Sequence, residues 1–113
     1  MTVESREPGR ATAVLDATEI HQNPHGFVHG AVMFAMVDTT MGAATMSMLV
    51  EPQRCSTIEL QLRFLRPVEQ GPISAETIVM KPGRRIFHLE TKVHDGEGRL
   101  VATATGSFAV VDP

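Results

Sequence analysis

The segment from Gly30 to Val50 is dominated by apolar and small residues, contains no proline, and has Asp38 as its only charged residue. It is long enough to cross a bilayer, so a transmembrane helix has to be considered. Placing an aspartate near the bilayer centre costs about 2.5 to 3.5 kcal/mol on insertion scales. No cluster of Lys or Arg flanks the segment either. We therefore predict a helix that is apolar on most sides because a protein core surrounds it.

Turn-forming residues precede this helix. Asn23, Pro24 and Gly26 lie close together, Gly30 opens a run of helix-forming residues, and the next proline is Pro52. Glycine and proline clusters of this kind mark the ends of helices. The sequence therefore predicts one long helix that begins at about Gly30.

A hydrophobic period of two follows Pro52 and predicts a strand with one solvated face. The apolar and polar residues alternate there: Ile58, Leu60, Leu62 and Phe64 against Thr57, Glu59, Gln61 and Arg63. Prolines and glycines separate three further runs at about residues 73–80, 84–94 and 100–111. Four consecutive strands joined by short turns predict an antiparallel meander.

Upstream of the helix, residues 11–16 are one more candidate strand, and residues 1–10 are interpreted as a flexible lead-in. The order of strand, long helix and four strands predicts an α+β fold in a single domain, residues 1–113, with the sheet wrapped around the helix. One small sheet cannot surround a helix on all sides. A second copy of the chain would most simply close the uncovered helix face and the sheet edges, as a symmetric dimer.

Composition narrows the expected partners and compartment. With 10 Lys and Arg against 13 Asp and Glu, the formal net charge is -3, so no nucleic-acid partner is expected. Cys55 is the only cysteine, which excludes an internal disulfide, and no metal-ligand spacing is present. The N-terminus carries no secretory signal. We expect a cytoplasmic protein with no metal and no membrane segment.

One spaced motif and two longer stretches carry a family resemblance. Asn23, Gly26, His29, Gly30 and Asp38 form the pattern N-x-x-G-x-x-H-G-x-x-x-x-x-x-x-D. It resembles the motif of hotdog-fold acyl-CoA thioesterases of the phenylacetate-pathway (PaaI-like) type. The stretch TIELQLRFLRP resembles the first long strand of that family, and GRRIFHLETKVHDGEGRLVATATGSFAV resembles its final hairpin. The resemblance implies a hotdog fold, in which an antiparallel sheet wraps one long helix.

The resemblance also implies roles for the motif residues. N–H groups in the first turn of a helix lack intrahelical acceptors, so the Gly30 N–H is our candidate oxyanion donor. By resemblance, Asp38 is the general base that activates water, or else the nucleophile that forms a mixed anhydride. His29 is interpreted as a positioning residue. Asn23 is a candidate side-chain donor to the substrate carbonyl.

Each of these residues also has a structural explanation, and the sequence leaves both open. Gly30 would serve close packing at a helix start. Asp38 would reach solvent or pair with a residue such as Thr57, since an unpaired buried charge is costly. His29 would bond only to the backbone near the helix N-cap, and Asn23 would form an Asx-turn before its proline.

In these enzymes a hydroxyl at the start of the first long strand helps to place the water. Ser56 and Thr57 are adjacent, and successive side chains of a strand face opposite ways, so only one can serve. Register favours Thr57. It alternates in step with Glu59, Gln61 and Arg63, opposite to the apolar row, and this polarity would fit plain solvent exposure as well.

The phosphates of coenzyme A call for arginine or lysine at the mouth of the site. The candidates are two arginines at a glycine turn and three other cations: Arg84 and Arg85 beside Gly83, with Arg63, Arg66 and Lys81. A solvated turn is the simpler explanation for any one of them.

These observations predict an acyl-CoA thioesterase that needs no cofactor, because coenzyme A is part of the substrate. The alternatives are a hotdog hydratase or dehydratase and a non-catalytic acyl-CoA binding module. Asp38 lies eight residues beyond Gly30, about 12 Å along one helix, which is too far for one thioester. We therefore predict sites shared between two chains of a homodimer, or of a dimer of dimers. The acyl group and the choice between the two mechanisms stay open.

Overall fold

The computed structural model describes the whole chain, Met1 to Pro113. Six strands and one long helix make up its regular structure: β1 (Thr2–Glu4), β2 (Arg10–Ala17), α1 (Gly30–Met46), β3 (Arg54–Phe64), β4 (Gly71–Pro82), β5 (Ile86–Asp95) and β6 (Leu100–Val111). A single 3-10 turn, Glu19–His21, follows β2. The helix packs against one antiparallel sheet, which confirms the predicted α+β class.

Local chemistry explains where α1 begins and ends. His29 is the N-cap residue, and its side chain accepts a hydrogen bond from the Ala31 N–H. At the other end the Ser47 N–H donates to the Ala43 carbonyl, and the Ser47 hydroxyl donates to the carbonyl of Ala44. Such local bonds use helix carbonyls that would otherwise lack donors. The helix therefore ends at Met46, before Pro52 is reached.

The strand order in the sheet is β1-β2-β4-β5-β6-β3. The predicted meander of β3, β4, β5 and β6 is wrong, because only the last three of these strands are neighbours in chain order. Strand β3 pairs with β6 along Arg54–Phe64 and occupies one edge of the sheet. The N–H groups of Leu65 and Arg66 both donate to the Val101 carbonyl, so the chain leaving β3 is held at β6 rather than turning back beside β3.

The N-terminal residues contain a strand, so the interpretation of residues 1–10 as a flexible lead-in is wrong for Thr2–Glu4. These three residues pair antiparallel with β2, in the register Val3 to Ala13. All three are solvent-exposed. The strand is held by its hydrogen bonds and has no apolar alternation of its own, which is why the sequence pattern did not predict it.

The core lies between one side of α1 and the inner face of the sheet. The buried residues of the helix are Met33, Met36, Val37, Thr40, Met41, Ala44 and Thr45. Gly106 on β6 leaves the space that side chains of α1 and β3 fill. A Cβ atom at Gly106 would lie 2.5 Å from the Met41 sulfur and 2.7 Å from Leu60 Cδ2. A side chain at this position would have to displace both.

The opposite side of α1 is uncovered in the single chain. Ala31, Ala35 and Thr39 are exposed, and 43% of Phe34 is accessible to solvent. The helix is thus apolar on both sides, as expected, but the sheet covers only one of them. No helix in the structure combines the length and the hydrophobicity that a membrane crossing requires.

We expect Gly106→Ala to destabilise the fold by about 1 to 3 kcal/mol, because the added methyl group overpacks the contact between Met41 and Leu60. Urea unfolding at fixed protein concentration measures this change. Thr105→Ala, at an exposed neighbouring position, is the matched control and should change the free energy of unfolding by less than about 0.5 kcal/mol. Equal stability of Gly106→Ala and the parent chain would contradict this packing.

Candidate active site

A pocket of about 410 Å³ opens at the N-terminus of α1. Its wall is mainly apolar and combines residues of the loop before α1, the first turns of α1 and the end of β3: Asn23, Phe27, Val28, Gly30, Met33, Phe64, Leu65, Arg66, Pro67 and Val68. The hydrogen bond from the Val28 N–H to the Val68 carbonyl ties the two loops together. The pocket therefore brings together three residues predicted from the sequence: Asn23, Gly30 and Arg66.

The Gly30 N–H has no acceptor in the chain. Among its neighbours, the Ala31 N–H donates to His29 Nδ1 at 3.0 Å, and the Val32 N–H donates to the His29 carbonyl at 2.9 Å. The Gly30 N–H has no such bond, and it lies at the positive end of the helix dipole. A ligand oxygen in the pocket would meet a donor that the fold itself does not use.

Asn23 forms an Asx-turn, the structural role that the sequence allowed for it. Its side-chain oxygen accepts from the His25 N–H at 2.9 Å and from the Phe27 N–H at 3.2 Å. This pattern assigns the oxygen, so the amide NH₂ group is the other end of the side chain. That NH₂ group has no partner in the chain. The turn and a donor role are therefore compatible.

His29 caps the helix, which was its structural explanation. Because Nδ1 accepts from the Ala31 N–H, the neutral imidazole carries its proton on Nε2. The ring is exposed. Its observed contribution is to hold the first turn, and hence the Gly30 N–H, in place.

Asp38 is half-buried near the middle of α1 and makes no ion pair. One carboxylate oxygen, Oδ1, accepts a hydrogen bond from the Thr57 hydroxyl at 2.7 Å. The second oxygen has no partner in the chain. Burial, and then the negative charge of Asp38, raise the pKa of the nearby Cys55 thiol. Asp38 is thus held through one oxygen, while its other oxygen makes no bond within the chain.

A β-bulge at Ile58 decides which hydroxyl faces Asp38. Thr57 pairs with Phe108 but Glu59 pairs with Ser107, so Ile58 is an extra residue. The bulge reverses the alternation, and Thr57 lies on the inner face together with Leu60. The prediction that Thr57 lies on the same face of the strand as Glu59 is therefore wrong. Ser56 lies on the outer face.

Gly30 and Asp38 belong to one uninterrupted helix, so about 12 Å of helix rise separates them within a chain. Phe34 lies midway between them on the same stripe, since positions four apart share a helix face. The two ends of this stripe contact the edge strand β3, and only Phe34 between them is exposed on the side of α1 that the sheet leaves uncovered.

The predicted cations do not form one cluster. Arg84 and Arg85 are exposed in the turn after β4, where Gly83 is required because a Cβ atom there would lie 2.2 Å from the Ile86 carbonyl oxygen. The Gly9 carbonyl accepts from the Val79 N–H near the end of β4, and the Gly9 N–H donates to the hydroxyl of Ser47, which follows α1. The turn after β4 therefore lies at the C-terminal end of α1.

The three other cations, Arg66, Arg63 and Lys81, do not lie beside Arg84 and Arg85. Arg66 lines the pocket at the opposite end of α1. Arg63 lies on the outer face of the sheet with Gln61 and Lys92. Lys81 pairs with His88, also on the outer face. A single chain therefore offers no common phosphate site built from all five.

The sequence did not indicate that the apolar wall of the pocket belongs to a functional site. Phe64 was assigned to the apolar row of a strand, yet 54% of it is exposed, and so is 56% of Leu65. The sequence feature that could have indicated their exposure is their position at the end of a strand, just before Pro67.

Comparisons with known proteins identify the family of the chain. The family model described as the thioesterase superfamily matches residues 25–102. A protein of Saccharolobus solfataricus with a provisional esterase name is 30% identical over 105 residues, which cover 93% of this chain and 74% of the relative.

Solved structures agree in fold. A structure from Ralstonia eutropha, provisionally described as a thioesterase related to phenylacetic acid degradation, has 28% identity and a TM-score of 0.88 over 96% of this chain and 83% of its own. The Escherichia coli PaaI protein has 21% identity and a TM-score of 0.91, covering 98% of this chain and 79% of its own. Both the resemblance and the predicted hotdog fold are confirmed, and the chain belongs to the thioesterase superfamily.

Proposed function

We propose that this protein hydrolyses acyl-CoA thioesters to a free acid and coenzyme A. The observation that carries the proposal is the unpaired N–H of Gly30, a residue that lines a mainly apolar pocket at the positive end of α1. A thioester needs a donor for its carbonyl oxygen and an apolar space for its acyl group, and both meet here.

In this proposal the Gly30 N–H donates to the thioester oxygen, where negative charge develops during attack. Asp38 supplies the second group. As a general base, it takes a proton from the water that attacks the carbonyl carbon. The tetrahedral intermediate then collapses, the C–S bond breaks, and the thiolate of coenzyme A takes up a proton.

As a nucleophile, the free Asp38 oxygen would instead attack the carbonyl carbon and expel the thiolate. Water would then hydrolyse the resulting anhydride. The hydrogen bond from Thr57 orients the carboxylate in either case. The two mechanisms share the same groups and differ in the atom that attacks.

We propose that two chains build each site. The Gly30 N–H and an attacking group must lie within about 3.5 Å of one carbonyl, which the helix spacing within one chain forbids. A two-fold axis near Phe34 would run the two α1 helices antiparallel and bring Gly30 of one chain opposite Asp38 of the other.

Two surfaces support this arrangement. The small exposed residues Ala31 and Ala35 allow helices to approach closely along the uncovered side of α1. Strand β3 is also a free edge of eleven residues, Arg54–Phe64, and such edges are open to pairing with another strand. A dimer that uses both would cover the apolar side of α1 and the edge together. The dimer of dimers stays a prediction.

The antiparallel arrangement also suggests where the phosphates of coenzyme A bind. It brings the turn with Arg84 and Arg85 of one chain toward the end of α1 where Arg66 of the other chain lines the pocket. We propose these arginines as the phosphate-binding groups and leave out Arg63 and Lys81, because both lie on the outer face of the sheet. We also propose the cytoplasm as the compartment, where the free Cys55 would stay reduced.

Asp38→Asn should lower the kcat for thioester hydrolysis about a hundredfold or more, because the amide can neither accept a proton nor attack. Its side-chain oxygen still accepts from Thr57, so the fold and coenzyme A binding should be retained. Thiol release from a panel of acyl-CoA substrates measures the effect. Asp16→Asn, which neutralises an exposed carboxylate on β2, is the control. Wild-type turnover by Asp38→Asn would refute the assignment, and double-bond hydration without thiol release would indicate a hydratase.

Mixing two inactive variants tests whether the site is shared. Gly30→Pro removes the N–H at the first helical position, where proline is tolerated, and His29 already has the extended ψ of 136° that a following proline requires. Refolded with Asp38→Asn in equal amounts, it should give about half mixed dimers, each with one intact site. About a quarter of wild-type activity should return.

Gly30→Ala is the matched control for this experiment. It keeps the N–H while adding a Cβ atom that meets the Phe64 ring at 3.2 Å, so it reproduces part of the steric change that proline makes. It should retain much more activity than Gly30→Pro. Confirmed mixed dimers without activity would place both reacting groups in one chain.

Charge reversal at Arg84 and Arg85 should raise the KM for acyl-CoA by about tenfold or more, since each phosphate contact is a charge-assisted bond. The KM for a short acyl thioester of N-acetylcysteamine, which lacks the nucleotide, should change little. The double reversal of Arg6 and Lys92, both exposed and distant from the pocket, makes the same change in net charge. Equal effects on the two substrates would argue against this role.

A further inference from the structure

The ring of Phe64 lies directly over Gly30. A Cβ atom built on Gly30 would be 3.2 Å from the Cζ atom at the tip of this ring, and 3.7 Å from each Cε atom. The ring therefore fills the space that a side chain at position 30 would occupy. Only a glycine leaves room for it without displacement.

The position of Phe64 in β3 explains this contact. After the bulge, Leu60, Leu62 and Phe64 share the inner face, and β3 runs antiparallel to α1. Leu60 lies near Met41 in the middle of the helix, so Phe64, at the end of the strand, reaches the first turn. Since 54% of Phe64 is exposed, the core does not account for the ring.

The Phe64 ring lies beside Gly30, whose N–H is the proposed donor, and it also forms part of the pocket wall. The Gly30 N–H belongs to the residue that the ring tip contacts, and Phe64 lines the pocket together with Phe27 and Leu65. An acyl group whose carbonyl oxygen accepts from that N–H would place its first carbons against the ring. The ring would thus limit the space beside that carbonyl.

We propose that Phe64 is a specificity-determining residue that selects acyl groups unbranched or flat at the carbon next to the carbonyl. The inference rests on the proposed thioesterase function. A straight chain or a planar group lies along the ring, whereas a methyl branch at this carbon meets the ring tip. The deeper apolar wall of Val28, Met33 and Val68 accepts the rest of the acyl group.

The test compares isobutyryl-CoA, branched at this carbon, with its straight isomer butyryl-CoA. Phe64→Leu withdraws the ring tip and should raise the ratio of kcat/KM for isobutyryl-CoA to that for butyryl-CoA about tenfold, a usual scale for one methyl group in an apolar pocket. Phe64→Trp enlarges the wall and should lower the same ratio. Leu65→Ala enlarges the pocket at a side chain that is not among the atoms nearest to a Cβ at Gly30, and it should leave the ratio within about twofold of wild type.

An unchanged ratio in both Phe64 variants would overturn the proposal while leaving hydrolysis intact. If the parent chain releases thiol from no acyl-CoA of the panel, the proposed function fails, and the role of Phe64 is decided by binding instead. The ratio of the Kd values of the isobutyryl and butyryl ketone analogues of acyl-CoA, which keep the carbonyl but have a methylene group in place of sulfur, should then shift in Phe64→Leu in favour of the branched ligand. Equal Kd ratios for the parent chain and Phe64→Leu would overturn the inference independently of turnover.

Discussion

The first turn of α1 is the constraint on which the rest of the site depends. The N–H groups there need acceptors from outside the helix, and His29 supplies them for Ala31 and Val32. Gly30 receives none, and it lines a mainly apolar pocket. An unmet donor is tolerated here because the pocket is open to water. Hydrolysis would exploit the donor that folding leaves unused.

Local chemistry predicted the first turn well. Turn residues before Gly30 and the apolar run after it placed the start of the helix correctly, because caps and turns depend on a few neighbouring residues. For Asn23 and His29 the sequence left a structural and a functional explanation open. The structure shows that the structural one holds for both, and that the Asn23 NH₂ group still remains available.

Long-range features could not be predicted. The pairing of β3 with β6 depends on contacts between distant residues, which strand periodicity does not encode. The bulge at Ile58 shifted the phase by one residue, and a shift of one residue moves every side chain before it to the other face. That shift places the Thr57 hydroxyl on Asp38 and explains why a polar residue that looked solvated faces the helix.

A crystal structure of Asp38→Asn bound to a ketone analogue of acyl-CoA, with a methylene group in place of sulfur, tests the central claim most directly. The account predicts the carbonyl oxygen about 3 Å from the Gly30 nitrogen of one chain. The side chain at position 38 of the other chain should lie within about 3.5 Å of the carbonyl carbon or of its attacking water. A carbonyl oxygen far from Gly30, or approached by position 38 of the same chain, would contradict it.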